Sequence, residues 1–459
     1  MEIYIEDTAS DFYAELLALG EAACDDYAKA YAGLGAVFRR AVDQRLLHSS
    51  IAFAGMFAKV DYLLKEYGVK PPLSYQINDT RIRLRHISSS MPDGLRRHFP
   101  YDLKNVCRFI ACIYPGTDLP PRLAALLPER DLSADGGELL GDCVRVVVDS
   151  LEGTLVTVTG QHGGTMRVDC SGPWADLCPL LKSGMQLNFV RPRKDKDTVH
   201  PELVILEPDY LVDISAVAAC FESYGETPYT YLLNKIKPAP LSSHILMGNL
   251  AGRMLDEAVH GSDRSYADSV TDFFSSNAIS IAACDGIDAP FHKEARTQRA
   301  NIRRAVGEVL PSEVGGFDAA EAVLEPSFFC ETLGLQGRMD LLQADLCRPG
   351  RCVVIEQKSG KGAFPPSPDP ETPRHRENHY VQLLLYMALL RYGHGVAAAD
   401  IRAFLLYSHY RNSLLQVGAA PELLNRAIML RNQIVWCELW YAAGGISVLH
   451  KLTPERLNV

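Results

Sequence analysis

Apolar positions recur at helical spacing through residues 8–68, where "FYAELLALGEAACDDYAKAYAGL" and "IAFAGMFAKVDYLLKEYG" each predict a long amphipathic helix. "KPPLS" interrupts the pattern, and 75–128 is mixed in texture up to the proline-rich "YPGTDLPPRLAALLPER". These features predict a helical N-terminal domain over 1–130. Between 141 and 207 the period shortens to that of strands. The runs "CVRVVVDS", "TLVTVTG", "TMRVDC", "QLNFVRPR" and "ELVILEPDYLV" alternate with turn residues. Five short strands at this spacing predict a small OB-like β-barrel over 131–212. Beyond it, over 213–459, the pattern predicts helices at 214–235, 242–260 and 264–275, a hairpin at 337–358 and a proline-rich loop, "FPPSPDPETPRHRE". A helix in "HYVQLLLYMALLRYG", a strand in "IRAFLLYSH" and a final helix in "APELLNRAIMLRNQIVWCELWYAAGG" follow. Helices around a mixed sheet make this third unit an α/β domain.

The hairpin carries charges where an apolar strand ordinarily has none. "GRMDLLQADLCRPGRCVVIEQKSGKG", residues 337–362, reads as two strands joined by a Pro-Gly turn. Residues two apart on a strand share a face, so Glu356 and Lys358 point the same way. Gln357 faces the other side and offers its main-chain carbonyl near the same edge, while Asp340 lies on the neighbouring arm. Two carboxylates and a carbonyl are hard oxygen ligands of the kind that Mg²⁺ or Mn²⁺ accepts. A lysine beside such a cation can orient a water and stabilise charge developing on a phosphate oxygen. Without a cation the carboxylates raise one another's pKa. Taken alone, an acid and a lysine two apart equally describe a surface pair at an exposed strand end; the aspartate one hairpin away sets this pair apart.

Composition adds limits. Of 459 residues 47% are hydrophobic, enough for several cored domains, and the net charge of −10 does not advertise a nucleic-acid partner. Three stretches are nevertheless basic: 81–108, with seven Lys or Arg, "RPRKDK" at 191–196 and "HKEARTQRANIRRA" at 292–305. Such patches can hold phosphates on an acidic protein, because salt limits repulsion to roughly 8 Å. The twelve cysteines include no CxxC pair, which points to reduced thiols and a cytoplasmic location. The start, "MEIYIEDTASDFYAELL", lacks the basic n-region of a signal peptide, and no apolar run reaches membrane-spanning length. "SGKG" lacks the upstream glycine of a phosphate loop, so nucleotide hydrolysis finds no support.

"GLQGRMD", "IEQK" and "QLLLY", in this order, resemble the RecB-type branch of the PD-(D/E)xK nucleases. The likeness is greatest to the nuclease half of the nuclease–helicases that trim DNA flaps and resect DNA ends, and to their CRISPR-associated exonuclease relatives. It covers about 210–436, including "LRNQIV", and the preceding β-rich segment is similar to the small barrel such enzymes carry. The resemblance implies a restriction-endonuclease-like mixed sheet flanked by helices. It implies hydrolysis of single-stranded or flap DNA in repair, replication or defence, leaving 5′-phosphates, with a helicase in cis or in trans as partner. Asp340 and Glu356 would be metal ligands and Lys358 the catalytic lysine, with Gln382 and Tyr386 as the QxxxY pair, one helical turn apart.

Two departures stand out. The family places a metal-binding histidine four residues after a glycine in an early helix, but in "MGNLAGRMLDEAVH" Gly252 stands where that histidine would be. Asp256, one turn further on the same face, can lean back into the space, and Glu257 is its nearest rival. Many relatives also hold an iron–sulfur cluster on four cysteines. Cys220 suits the early position, yet only Cys437 follows Tyr386, so no cluster is expected. The Gly252 departure keeps a second reading open, a weakened nuclease fold serving as a DNA-binding or scaffolding subunit. An RNA-directed nuclease is a third, since metal-dependent cleavage needs no 2′-hydroxyl.

Overall fold

The computed structural model describes residues 7–445 apart from 52, 54, 71–72, 86–91, 130–137, 162, 222–225, 238–241, 316, 345–351 and 364–365. The chain divides into two compact units, one of residues 1–210, 220–229 and 420–459, the other of 211–219 and 230–419.

The first unit begins with helices Ala9–Ala22, Tyr27–Arg45, Met56–Glu66, Leu73–Arg85 and Pro92–Ile113. Thr8 and Asp11 form a reciprocal cap at the start of the first helix, and Asp26 caps the second. Phe12, Leu16, Leu34, Phe38, Phe109 and Ile110 fill the core between them. Asp102 is fully buried and accepts from Tyr31 Oη (2.8 Å), Thr80 Oγ1 (2.7 Å) and the Arg83 guanidinium. Arg83, from the first basic stretch, is thus spent internally on a buried pair.

Eight short strands follow where five runs were read: β1 (Glu138–Leu139), β2 (Cys143–Glu152), β3 (Leu155–Gly160), β4 (Thr165–Asp169), β5 (Gln186–Val190), β6 (Arg193–Asp195), β7 (Thr198–His200) and β8 (Leu203–Leu206). They pair in the order β1-β6-β7-β4-β3-β2-β5-β8, antiparallel except for β4 with β7. The expected OB-like barrel is not present as a closed hydrogen-bonded ladder among the described residues. "QLNFVRPR" extends past β5 into the β6–β7 hairpin, and β1 pairs onto its far strand. The hairpin turns at Lys196, which takes a left-handed φ of 53°.

The helix Pro421–Gly444 belongs to this unit and explains "LRNQIV". Asn432 imitates a neighbouring strand: its Oδ1 accepts from Leu206 N (2.9 Å) and its Nδ2 donates to Val204 O (2.7 Å). Arg431, fully buried, donates to the carbonyls of Leu206, Glu207 and Tyr210. Side chains therefore satisfy backbone groups of β8 that no further strand meets among the described residues.

In the second unit β9 (Val212–Asp213), β11 (Ser327–Cys330) and β12 (Leu335–Arg338) form a small sheet in the order β11-β12-β9. A five-stranded mixed sheet runs β10 (Val323–Leu324), β13 (Leu341–Ala344), β14 (Cys352–Lys358), β15 (Ile401–Tyr407) and β16 (Leu414–Val417). Only β14 and β15 are parallel. Alternate residues of β14 serve two faces. Val353 and Ile355 join the core made with helices Ser243–Val259 and Ala289–Arg304, and Glu356 and Lys358 meet the helix Glu377–His394 on the opposite side.

In the first unit the one helix expected over 12–34 is two, Ala9–Ala22 and Tyr27–Arg45, and in the second unit two expected elements come out differently. The helix read over 214–235 is two pieces, Ile214–Ala219 and Pro228–Ile236. The first arm of the hairpin breaks at Met339–Asp340: β12 pairs with β11 and β9, and only β13 pairs with β14. The Pro-Gly turn lies outside the described residues. The other helices fall close to their expected ranges, at Ser243–Val259, Tyr266–Ser276 and Glu377–His394.

Asn432→Ala removes the strand mimic and leaves Leu206 N–H and Val204 C=O buried without partners. It should lower the free energy of unfolding by about 2–3 kcal/mol, at the cost scale of buried unmet polar groups, as read from urea titrations of the whole chain.

Candidate active site

Asp340 sits in the break between β12 and β13. With Leu341 opposite Ile355, it comes level with the end of β14, where its Oδ2 accepts from Gln357 N at 2.6 Å. Gln357 therefore acts through its backbone, holding the aspartate to the strand. Glu356 is 3% exposed. Its Oε1 accepts from Lys358 Nζ (2.8 Å) and Gln382 Nε2 (2.7 Å), and Lys358 Nζ donates also to Gln382 Oε1 (2.8 Å). The three side chains close a ring. It uses two of the three ammonium protons and leaves one for another acceptor.

The helix Glu377–His394 supplies Gln382 and, one turn on, Tyr386. Tyr386 donates to Arg338 O at 2.6 Å. The close approach of its ring explains Gly337: a Cβ there would lie 3.0 Å from Tyr386 Cε1 and 3.2 Å from Ile214 Cβ. Behind β14 a second set of bonds fixes the lysine. Ser408 N donates to Lys358 O (3.0 Å), buried Gln298 donates to Ser359 O (3.0 Å), and Ser408 Oγ donates to Gln298 Oε1 (2.7 Å).

Burial governs the electrostatics. Desolvation pushes the Glu356 carboxyl up to about 7, against the opposing pull of Lys358. Asp340 is raised by the same cause. The other oxygen, Glu356 Oε2, is buried and has no hydrogen-bond partner among the described residues. An orphaned carboxylate oxygen beside a second carboxylate is what a hard divalent cation would satisfy. Among the described residues no three His, Cys, Asp or Glu side chains gather into a metal cluster. Mg²⁺ is commonly held by one or two carboxylates, with waters and substrate phosphates completing the shell, so the donor set fits.

The remaining sequence-predicted residues are placed as follows. Asp256 is half-buried, with its carboxyl raised by burial and by the charges of Glu325 and Asp340; among the described residues no hydrogen bond joins it to Asp340. Its rival Glu257 is engaged elsewhere, accepting from Ser269 Oγ at 2.6 Å and lying 3.7 Å from Arg253. Beside Gly252 a Cβ would meet nothing within 4 Å, so crowding does not account for the glycine. Cys220 is buried in the turn after Ile214–Ala219, and burial pushes the Cys437 thiol up to about 12. Of the basic stretch 292–305, Arg299 and Arg303 donate to the Arg264 carbonyl and Arg304 to that of Arg411.

Glu325 was not foreseen. It takes a left-handed φ of 50°, donates its N–H to Asp340 O (3.0 Å) and pairs with Arg338 at 3.0 Å. Its one sequence signal is the "EP" that ends β10.

A carboxyl whose pKa is 4.5 when exposed and about 7 when folded holds its proton more tightly in the native state, so stability falls as pH rises between those values. Protein kept in EDTA should lose on the order of 2 kcal/mol across this window. Glu356→Gln should flatten the profile, as measured by chemical denaturation at a series of pH values.

None of the curated proteins compared matches the chain. A family model described as the PD-(D/E)XK nuclease superfamily matches residues 220–429, a span that includes Asp340, Glu356, Lys358, Gln382 and Tyr386. The acid pair, the lysine two residues on and the glutamine that ties them together thus lie in a PD-(D/E)XK nuclease superfamily domain.

Proposed function

We propose that the chain is a Mg²⁺- or Mn²⁺-dependent deoxyribonuclease of RecB type that cuts single-stranded or flap DNA, working alongside a helicase in DNA repair, replication or defence. The observation that carries the reading is the half-satisfied Glu356: one oxygen bound by Lys358 and Gln382, the other buried and open. Superfamily membership of 220–429 supports nuclease chemistry of this class.

In this reading Asp340 and Glu356 hold the cation, with the Gln357 carbonyl and Asp256 completing the protein's share. The ion would neutralise phosphate charge and lower the pKa of a water. Lys358 turns its remaining proton toward a non-bridging phosphate oxygen, and the ring with Glu356 and Gln382 keeps it there without reorganisation. Tyr386, anchored on Arg338 O, fixes the height of Gln382. The lack of four suitably spaced cysteines supports a colourless protein without an iron–sulfur cluster.

The β-rich segment supports an OB-like course carrying a single strand. β7 pairs with β4 and β8 with β5, although only Pro201 and Glu202 separate β7 from β8. One bent stretch of chain therefore bridges the two ends of the β4-β3-β2-β5 array.

Gly252, standing where the family has a metal-binding histidine, favours a second reading, a weakened nuclease that binds DNA. Incubation with labelled single-stranded, duplex and flap DNA, and with RNA, in Mg²⁺ or EDTA separates the two. Cleavage of single-stranded or flap DNA that EDTA stops is the expected result; tight binding without cleavage would select the second reading.

Asp340→Ala and Glu356→Ala should each abolish cleavage while leaving oligonucleotide binding intact. Lys358→Ala should slow cleavage roughly 10²–10³-fold with little change in Mn²⁺ affinity measured by calorimetry. Asp256→Asn should raise the Mg²⁺ concentration for half-maximal activity roughly ten-fold, while Glu257→Gln, whose parent side chain is tied to Ser269, should change it less than about two-fold. Equal, mild effects of the last two changes would remove Asp256 from the site.

A further inference from the structure

The helix that carries Gln382 and Tyr386 presents one more polar side chain beside Lys358. His379 lies three residues before Gln382, hence on the same helix face. Its Nδ1 is 2.8 Å from Tyr407 Oη, and the rings lie 5.5 Å apart. Tyr407 is fully buried, and its oxygen already accepts from Arg376 N–H at 3.0 Å. The hydroxyl proton therefore goes to His379 Nδ1, its one acceptor within bonding range among the described residues. With Nδ1 accepting, the ring's own proton must sit on Nε2. No bond from Nε2 to a described residue forms, and the ring is half-buried.

Burial, and behind it the charges of Lys358, Arg376 and His375, hold the imidazole neutral far below its ordinary range. A neutral ring avoids adding another cation next to Lys358 and still offers an N–H. Two donors are then available near one another, the free proton of Lys358 and the Nε2–H of His379.

We propose that His379 is a substrate-binding residue whose Nε2–H donates to a non-bridging oxygen of the DNA backbone phosphate at this site, with Tyr407 and the Arg376 backbone locking the tautomer. The inference rests on the nuclease reading and adds a residue to it. Gln298 lies behind the strand on the helix Ala289–Arg304, whereas His379 belongs to the helix that meets Glu356 and Lys358.

The test combines binding, turnover and spectroscopy on the full chain. A fluorescent single-stranded oligonucleotide is titrated in EDTA against wild type, His379→Ala and His379→Gln, and cleavage is measured in Mg²⁺. His379→Ala should weaken binding and raise KM roughly ten-fold, the scale of one hydrogen bond to a charged group. His379→Gln, whose amide N–H reaches the same position, should recover most of the loss, and thermal melting should show both variants folded. Nitrogen-15 shifts of wild type should report protonated Nε2 and unprotonated Nδ1 in the absence of DNA. If wild type cuts and His379→Ala matches it in binding and KM, the inference fails while the nuclease reading stands. Protonated Nδ1 overturns the inference without reference to activity, as does loss in His379→Ala that His379→Gln does not recover. Wild type that neither binds nor cuts any nucleic acid removes both.

Discussion

A carboxylate taken out of water needs partners for both oxygens, and among the described residues Glu356 has them for one. The rest of the site is arranged around that imbalance. β14 delivers Glu356 and Lys358 to one face by strand alternation, and the helix Glu377–His394 supplies a glutamine amide that bonds both at once. Asp340 is pinned to the same strand end through Gln357 N–H. Gly337 lets the Tyr386 ring lie against β12, so the helix is registered to the strand next to the aspartate. The ring of bonds leaves an open oxygen, a second carboxylate and an unspent ammonium proton close together. Each is of use to phosphodiester hydrolysis and none to stability.

Buried polar groups that are fully met do different work elsewhere in the chain. Gln298, Ser408 and Asn301 form a closed network behind β14 in which the amides and the hydroxyl meet main-chain groups or one another. That network fixes the backbone of Lys358 and Ser359 without touching the acid pair. In the other unit Arg431 and Asn432 meet the backbone of β8 and the residues after it. Satisfied networks specify position, whereas the unsatisfied one marks chemistry.

Much of the site was legible in the sequence, because two periodicities suffice for it. Alternation along a strand placed Glu356 with Lys358, and helical spacing placed Gln382 with Tyr386. What escaped depends on pairing between distant segments. The break at Met339–Asp340 arises because β12 bonds to β11 and β9 while β13 bonds to β14, and no local pattern encodes a change of partner. The β-rich segment shows five runs but eight strands, since short pieces such as Arg193–Asp195 are defined by their neighbours. Helical spacing preferred Asp256 to its neighbour Glu257, but it could not show that Ser269, on the next helix, claims Glu257. Glu325 reaches the acidic pair through a left-handed backbone that the sequence marks only by the proline after it.

The central claim is that Glu356, raised to about 7 by burial, would release its proton to solvent when a divalent cation binds. Calorimetric titration with Mn²⁺ at pH 7, repeated in buffers of different ionisation enthalpy, measures this directly, because a released proton adds the buffer's heat to the signal. The account predicts binding accompanied by release of a fraction of a proton, with that release lost in Glu356→Gln. Binding whose heat is independent of the buffer, or a Glu356→Gln variant that binds Mn²⁺ as wild type does with the same proton release, would contradict it.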